Sequence, residues 1–228
     1  MTRIAILDYG MGNLRSVEKA LARVGAEAVV THDAEAVRRA DGLILPGVGA
    51  FAKAMERIDE LGLARLIAER LEAGTPLLGI CLGFQLLFDS STELGGARGL
   101  GLIDGEVRGL EAPGLKVPHI GWEPVAWTRP SALTAGIDEA TPFYFVHSFA
   151  PHPTDPDHVL GTAVHGKRFV CAVERPPVYG VQFHPEKSSA AGLRLLANFA
   201  AVCGRVAETS RLNSGGARLR PPDSASLA

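Results

Sequence analysis

Apolar residues follow two rhythms along this chain, and the change between them divides it. In the first part, short apolar runs alternate with stretches of helical period. Residues 3–8, RIAILD, close an apolar run on an acid, the pattern of a strand buried on both faces with a functional edge. Val17, Ala20, Leu21 and Val24 recur at helical spacing, with Asn13 placed to cap the start and Gly25 to end it. Residues 26–30 and 42–47 read as further strands, and 52–58 and 63–72 as helices. PLLGI, 76–80, reads as a central strand running into Cys81. This alternation predicts an α/β fold, a central and mostly parallel sheet flanked by helices.

In the second half the rhythm shortens. GLGLIDGEVRGL, FYFVHSF, VLGTAVH, FVCAVE and VYGVQF are β-like runs broken by Gly and Pro, which predicts extra antiparallel strands. A last helix is expected over about 190–203, with Leu193, Leu196, Phe199 and Cys203 on one side and Gly204 behind it. Residues 207–228 turn to Ser, Gly, Arg, Ala and Pro, a composition that buries little apolar surface. One domain over 1–206 and a disordered tail over 207–228 are therefore expected.

Composition narrows the function classes. An apolar content of 46% supports a sizeable core, and a net charge of −2 gives no reason to expect nucleic acid or an anionic membrane as partner. Cys81, Cys171 and Cys203 are too few and too scattered for a disulfide framework or a zinc site, which fits a reducing, cytoplasmic setting. The first apolar run is too short for a signal peptide, and TPLLGICLGFQLLF is too short to span a bilayer. No metal site is expected from the histidine spacing, PHPTDPDH included.

Candidate chemistry begins at GICLGFQLL, residues 79–87. A strand enters Gly79-x-Cys81-x-Gly83 and a helix is expected to leave it, the layout of a nucleophile elbow with a thiol. A helix N-terminus behind the sulfur would favour thiolate. Taken alone, the motif fits a glycine-rich packing site equally well. VYGVQFHPEKS, residues 178–188, supplies a second piece, His184 and Glu186 two apart at the end of a strand-like run. That spacing lets the carboxylate hold one imidazole nitrogen while the other faces outward as a base. LPGVGAF, 45–51, is a glycine-rich loop that could offer backbone N–H groups to an oxyanion, bind a phosphate, or merely connect strand to helix. Its glycines let peptide planes rotate cheaply. YGMGNLRS, 9–16, lacks the third glycine of a dinucleotide fingerprint, since Arg15 stands there.

GICLGFQLL together with YGVQFHPEKS resembles the class I, triad-type glutamine amidotransferases. Within that family DYGMGNLRSV, LPGVGAF, VPHIGW, FYFVHSF and GVQFHPEKS are similar to glutaminase subunits of imidazole glycerol phosphate synthase, over about residues 3 to 203. The resemblance implies a single-domain, flavodoxin-like amidotransferase fold and no cofactor. It assigns Cys81 as nucleophile, His184 as base and Glu186 as its orienting acid. It places oxyanion donors at Leu82 and in the Gly47-Val48-Gly49 loop, and glutamine contacts at Gly47, Gln85, Glu93, Ser148 and Phe149. It also implies a heterodimer with a HisF-type (β/α)8-barrel cyclase that receives the ammonia, with Asn13, Trp122, Tyr144 and Lys187 in partner-facing stretches. Phe84 stands where the family pattern has Met, and Glu123 where it has Asn. Glutaminase subunits of other synthases, making pyridoxal phosphate, anthranilate or aminodeoxychorismate, share the triad. So does a free-standing γ-glutamyl cysteine hydrolase.

Overall fold

A computed structural model describes residues 1–215, with side chains to residue 212. The elements of the first half are β1 Arg3–Leu7, α1 Leu14–Arg23, β2 Glu27–Thr31, α2 Ala34–Arg38, β3 Gly42–Gly47, α3 Phe51–Glu60, α4 Leu63–Glu72, β4 Leu77–Cys81 and α5 Leu82–Gln85. Then follow β5 Phe88–Ser91, β6 Ala97–Arg98, β7 Ile103–Gly109, β8 His119–Pro124, β9 Ala126–Trp127, β10 Pro142–His147 and β11 Phe149–Pro153. The chain closes with β12 Val159–His165, β13 Lys167–Arg175, β14 Val178–Val181 and α6 Ser189–Gly215.

The main sheet has the order β2-β1-β3-β4-β14-β13-β12-β9. Its first five strands run parallel and β13, β12 and β9 continue it antiparallel. Alternate residues of the parallel strands feed two cores. Ile4, Ile6, Ile44 and Leu78 pack with Leu21 of α1 and with Leu195, Leu196 and Phe199 of α6. Ala5, Leu7, Leu43 and Leu45 pack with Ile58 of α3 and Leu66 of α4. Strands covered on both faces must be apolar throughout, which is why they read as unbroken runs. A four-stranded sheet, β11-β7-β5-β6, and the β10-β8 pair build up the end of the main sheet where Cys81 lies.

Three local expectations change. Asn13 precedes α1 with φ 77° and makes no capping hydrogen bond, because its side chain is used elsewhere. The helix after Cys81 is a single turn, so its dipole is small and contributes little to thiolate stability. The last helix runs through Gly204 to Gly215, and Arg211 pairs with Asp41 at 3.0 Å. A glycine inside a helix costs only about 1 kcal/mol and is no stop signal by itself. Here it admits a close neighbour, since a Cβ on Gly204 would stand 3.0 Å from Thr2 Oγ1. Residues 207–215 of the expected tail are thus helical, and 216–228 lie outside the described residues. Ser189–Leu212 is long and apolar enough to cross a bilayer by length and composition, yet Leu195, Leu196, Phe199 and Cys203 are fully buried in the core.

Glycine lets α5 lie directly on the sheet. A Cβ on Gly83 would fall 1.7 Å from the Leu45 carbonyl oxygen, and one on Gly79 would fall 2.7 Å from that of Gly83. Backbone cannot yield as a side chain does. Gly83→Ala is expected to destabilise the fold by about 3 kcal/mol or more, lowering Tm by roughly 6–12 °C, measurable by thermal unfolding. A change of under 2 °C would contradict the packing described.

Candidate active site

Cys81 ends β4 with φ 53° and ψ −109°, a conformation that L-residues rarely adopt. The turn presents the sulfur at the carboxyl ends of the parallel strands, where open α/β sheets place their sites. Register then assembles its neighbours. Gly47 of β3 pairs with Cys81, so the 47–49 loop begins beside the sulfur. Val181 of β14 pairs with Ile80, so residues 182–184 arrive on its other side.

His184 is extended, and Pro185–Lys187 forms a 3₁₀ turn rather than more strand. The turn brings Glu186 Oε1 to 2.7 Å from His184 Nδ1. Both side chains are sealed from solvent, at 1% and 0% exposure. Nδ1 therefore donates to the carboxylate. Nε2 has no hydrogen-bond partner and is left to the Cys81 sulfur, with which the imidazole interacts. Burial alone would lower the His184 pKa, but Cys81 and Glu186 outweigh it and raise it from 6.5 to about 9. Asn13 Nδ2 also donates to Glu186 Oε1. The residue that fails to cap α1 instead contacts the acid that holds the histidine.

A cavity of about 270 Å³ opens beside the sulfur. Val48, Gly49, Leu82, Gln85, Glu93, Ser148 and Phe149 line it, together with Pro118, Val146 and His147. Gly47 stays in β3, where a Cβ would meet Tyr9 Oη at 2.2 Å; the tyrosine donates to the Pro46 carbonyl at 2.6 Å. That pins one end of the loop and leaves Gly49, at φ 117°, as its pivot. Glu93 Oε2 accepts from the Phe51 N–H at 2.7 Å, so the carboxylate also caps α3.

Sequence reasoning passed over two buried groups here. Gln182 is wholly buried, accepts from Gln85 Nε2 at 3.1 Å and points its own Nε2 at Cys81 Sγ, 3.8 Å away. Its only trace in the sequence is one polar residue inside the apolar run VYGVQF. His147 contacts the Phe149 carbonyl through Nδ1 at 2.8 Å and His119 through Nε2 at 3.1 Å. Burial pushes both histidines down to about 4, so both are neutral at pH 7.

Three of the four residues expected to face a partner lie together, Trp122, Tyr144 and Lys187. Trp122 meets Tyr144 edge to face at 5.8 Å, and the Lys187 ammonium lies 5.9 Å from the Tyr144 ring. Asn13 instead contacts the buried carboxylate of Glu186, the neighbour of Lys187 in the chain. Trp122 and Ile120 are exposed at 48% and 61%. Cys171 and Cys203 are core residues whose thiols burial pushes far up.

A family model described as glutamine amidotransferase class-I matches residues 5–203. The imidazole glycerol phosphate synthase subunit HisH of Moorella thermoacetica is 53% identical over 199 residues, covering 87% of this chain and 94% of that protein. The same subunit of Aquifex aeolicus is 49% identical over 198 residues, covering 86% and 95%. Among solved structures, PurLQS from Thermotoga maritima matches with a TM-score of 0.70 at 20% identity, over 88% of this chain and 98% of that one. A structure described as glutamine amidotransferase matches at 0.69 and 23%, with the same coverage. The two structural likenesses bear on the fold alone.

Two predictions follow from the geometry. The folded state holds the His184 proton more tightly than the unfolded chain does. Its contribution to stability is therefore complete below about pH 6.5 and is lost as the pH rises through about 9. Urea unfolding should show stability falling across that window, with a shallower fall in Glu186→Gln; equal slopes would contradict the assigned contacts. Asn13→Ala removes a hydrogen bond to a buried carboxylate, so the glutaminase rate should drop about 10- to 100-fold with KM for glutamine unchanged. A rise in KM alone would place Asn13 outside the His184–Glu186 unit.

Proposed function

This chain belongs to the class I glutamine amidotransferases and is a glutaminase subunit of the HisH kind, and we propose that Cys81, His184 and Glu186 carry its chemistry. The supporting observation is the convergence of a strained elbow thiol, a carboxylate-held imidazole and a glutamine-sized cavity at one end of the sheet. Cys81 gives its proton to His184 Nε2, in line with the raised affinity of that imidazole for a proton, and the thiolate Sγ attacks the side-chain amide carbon of glutamine. The tetrahedral oxyanion collapses to a γ-glutamyl thioester as that proton moves to the leaving ammonia. Water, deprotonated by the same imidazole, then releases glutamate. Glu186 holds the tautomer and balances the imidazolium.

Leu82 N–H and a backbone N–H at Val48 or Gly49 serve the oxyanion. Gln85, Glu93, Ser148 and Phe149 hold the substrate, beside the Gly47 end of the loop. A carboxylate at Glu93 suits the α-ammonium. The relatives are named as subunits of imidazole glycerol phosphate synthase, and this chain takes the same place. Its ammonia passes to a HisF-type (β/α)8-barrel cyclase seated on the Trp122, Tyr144 and Lys187 surface in the cytoplasm. There it yields imidazole glycerol phosphate and an aminoimidazole carboxamide ribotide, in histidine biosynthesis. The partner acts by turning the loop at Gly49.

Glutamate release should be slow for the chain alone and strongly raised by the cyclase with its ribotide substrate, with all activity lost in Cys81→Ala. Brisk, unresponsive activity would keep the nucleophile and remove the pathway. Gly49→Ala places a side chain at φ 117°, so the stimulated rate should fall about 100-fold while glutamine binding persists. Full stimulation in that variant would remove Gly49 as the pivot.

A further inference from the structure

Behind the glutamine cavity, β8, β10 and β12 bring three histidines together, and their hydrogen bonds fix where the protons lie. The Phe149 carbonyl only accepts, so His147 carries its proton on Nδ1. With its proton on Nδ1, His147 offers Nε2 as the acceptor and His119 donates from Nδ1. This leaves His119 Nε2 as a bare lone pair. It is buried without a partner, on a side chain 2% exposed, and faces another acceptor, Glu123 Oε1, at 3.7 Å. His165 is constrained in the same way. Its Nε2 lies 2.9 Å from the Lys116 carbonyl, so Nε2–H donates there. The His119 and His165 rings stack with centroids 4.1 Å apart.

One nitrogen from each of these rings and one Glu123 oxygen lie within 4.8 Å of one another. We infer that His119, Glu123 and His165 form a binding site for a divalent transition-metal ion of the zinc class, apart from the triad. Two imidazoles and a carboxylate suit that class, with a fourth position left for water. His119 also gives its Nδ1–H to His147, which leaves Nε2 as its ligating nitrogen, as metal-site histidines require.

Binding needs one adjustment. The rings are within 18° of parallel, so an ion in the plane of both requires one to swing. His165 ends β12 at the Gly166 turn and is partly exposed, so it is the ring that moves, giving up its hydrogen bond to the Lys116 carbonyl. Its swing closes the donors to the roughly 3.3 Å spacing of a tetrahedral site. The ion would brace β8, whose other face carries Trp122, against the edge of the main sheet.

The test is a Co²⁺ titration of the full chain carrying Cys81→Ala, so that the catalytic thiol cannot ligate. One equivalent should bind, with the visible bands of a four-coordinate N/O site and no thiolate charge-transfer band. At a hundredfold excess over Kd the metal should raise Tm by on the order of 5–10 °C. His165→Ala should abolish binding, and Glu123→Gln should weaken it at least tenfold. Both residues are partly exposed, so the metal-free variants should give the parent's circular dichroism. No saturable binding in the Cys81→Ala chain, or binding that neither substitution alters, overturns the site.

Discussion

The functional end of this molecule depends on one close approach, the contact of the α5 backbone with the sheet immediately after Cys81. The sulfur is lifted because the chain turns within a single residue, and the turn leaves no room for Cβ atoms at Gly79 or Gly83. Gly180 continues the constraint on β14, where a Cβ would meet Phe84 at 2.2 Å. Cys81 itself takes the strain, a positive φ on a residue with a side chain, at a typical cost of about 1–3 kcal/mol. Strain of that size persists only where the surroundings over-determine it. Here they do, since β3 and β14 flank β4 in fixed register and both cores bury its side chains completely.

From that turn the remaining geometry is inherited. β3 delivers the glycine-rich loop next to the sulfur, and β14 delivers His184. The 3₁₀ turn at Pro185 folds Glu186 back onto the histidine, and Asn13, just before α1, closes on the same carboxylate. Three separate segments thus converge around the elbow, and none of them holds its position by local structure alone.

How much of this was legible in the sequence depended on whether the signal was local. The parallel strands were readable because burial on both faces makes them continuously apolar, and the elbow because sterics force glycine at fixed spacing. The His184–Glu186 pair was legible from two residues of separation, although a 3₁₀ turn brings them together rather than a shared strand face. Asn13 was misread as a cap because capping is the local role of asparagine before a helix. Its actual partner is distant in sequence, and no periodicity carries that information. The run of α6 past Gly204 was missed for the reverse reason, since tertiary packing and the Arg211–Asp41 pair override a weak local stop signal.

The least legible part is the polar seam between the sheets. Gln182, Gln85, His147 and His119 are all buried, and each takes its partner from the next, passing through the Phe149 carbonyl. A buried polar group without a partner costs about 1–3 kcal/mol, so such a chain is stable only when every member is satisfied. At one end the seam reaches the sulfur, as Gln182 Nε2 points at Cys81. At the other it ends on the unpartnered Nε2 of His119, since the Phe149 carbonyl sets the tautomer of His147 and, through it, that of His119. The surplus acceptor at His119 is therefore a consequence of how the glutamine pocket is wired. The carboxylate of Glu123 adds to that surplus instead of relieving it, which is why a positive ion is the natural complement at that point.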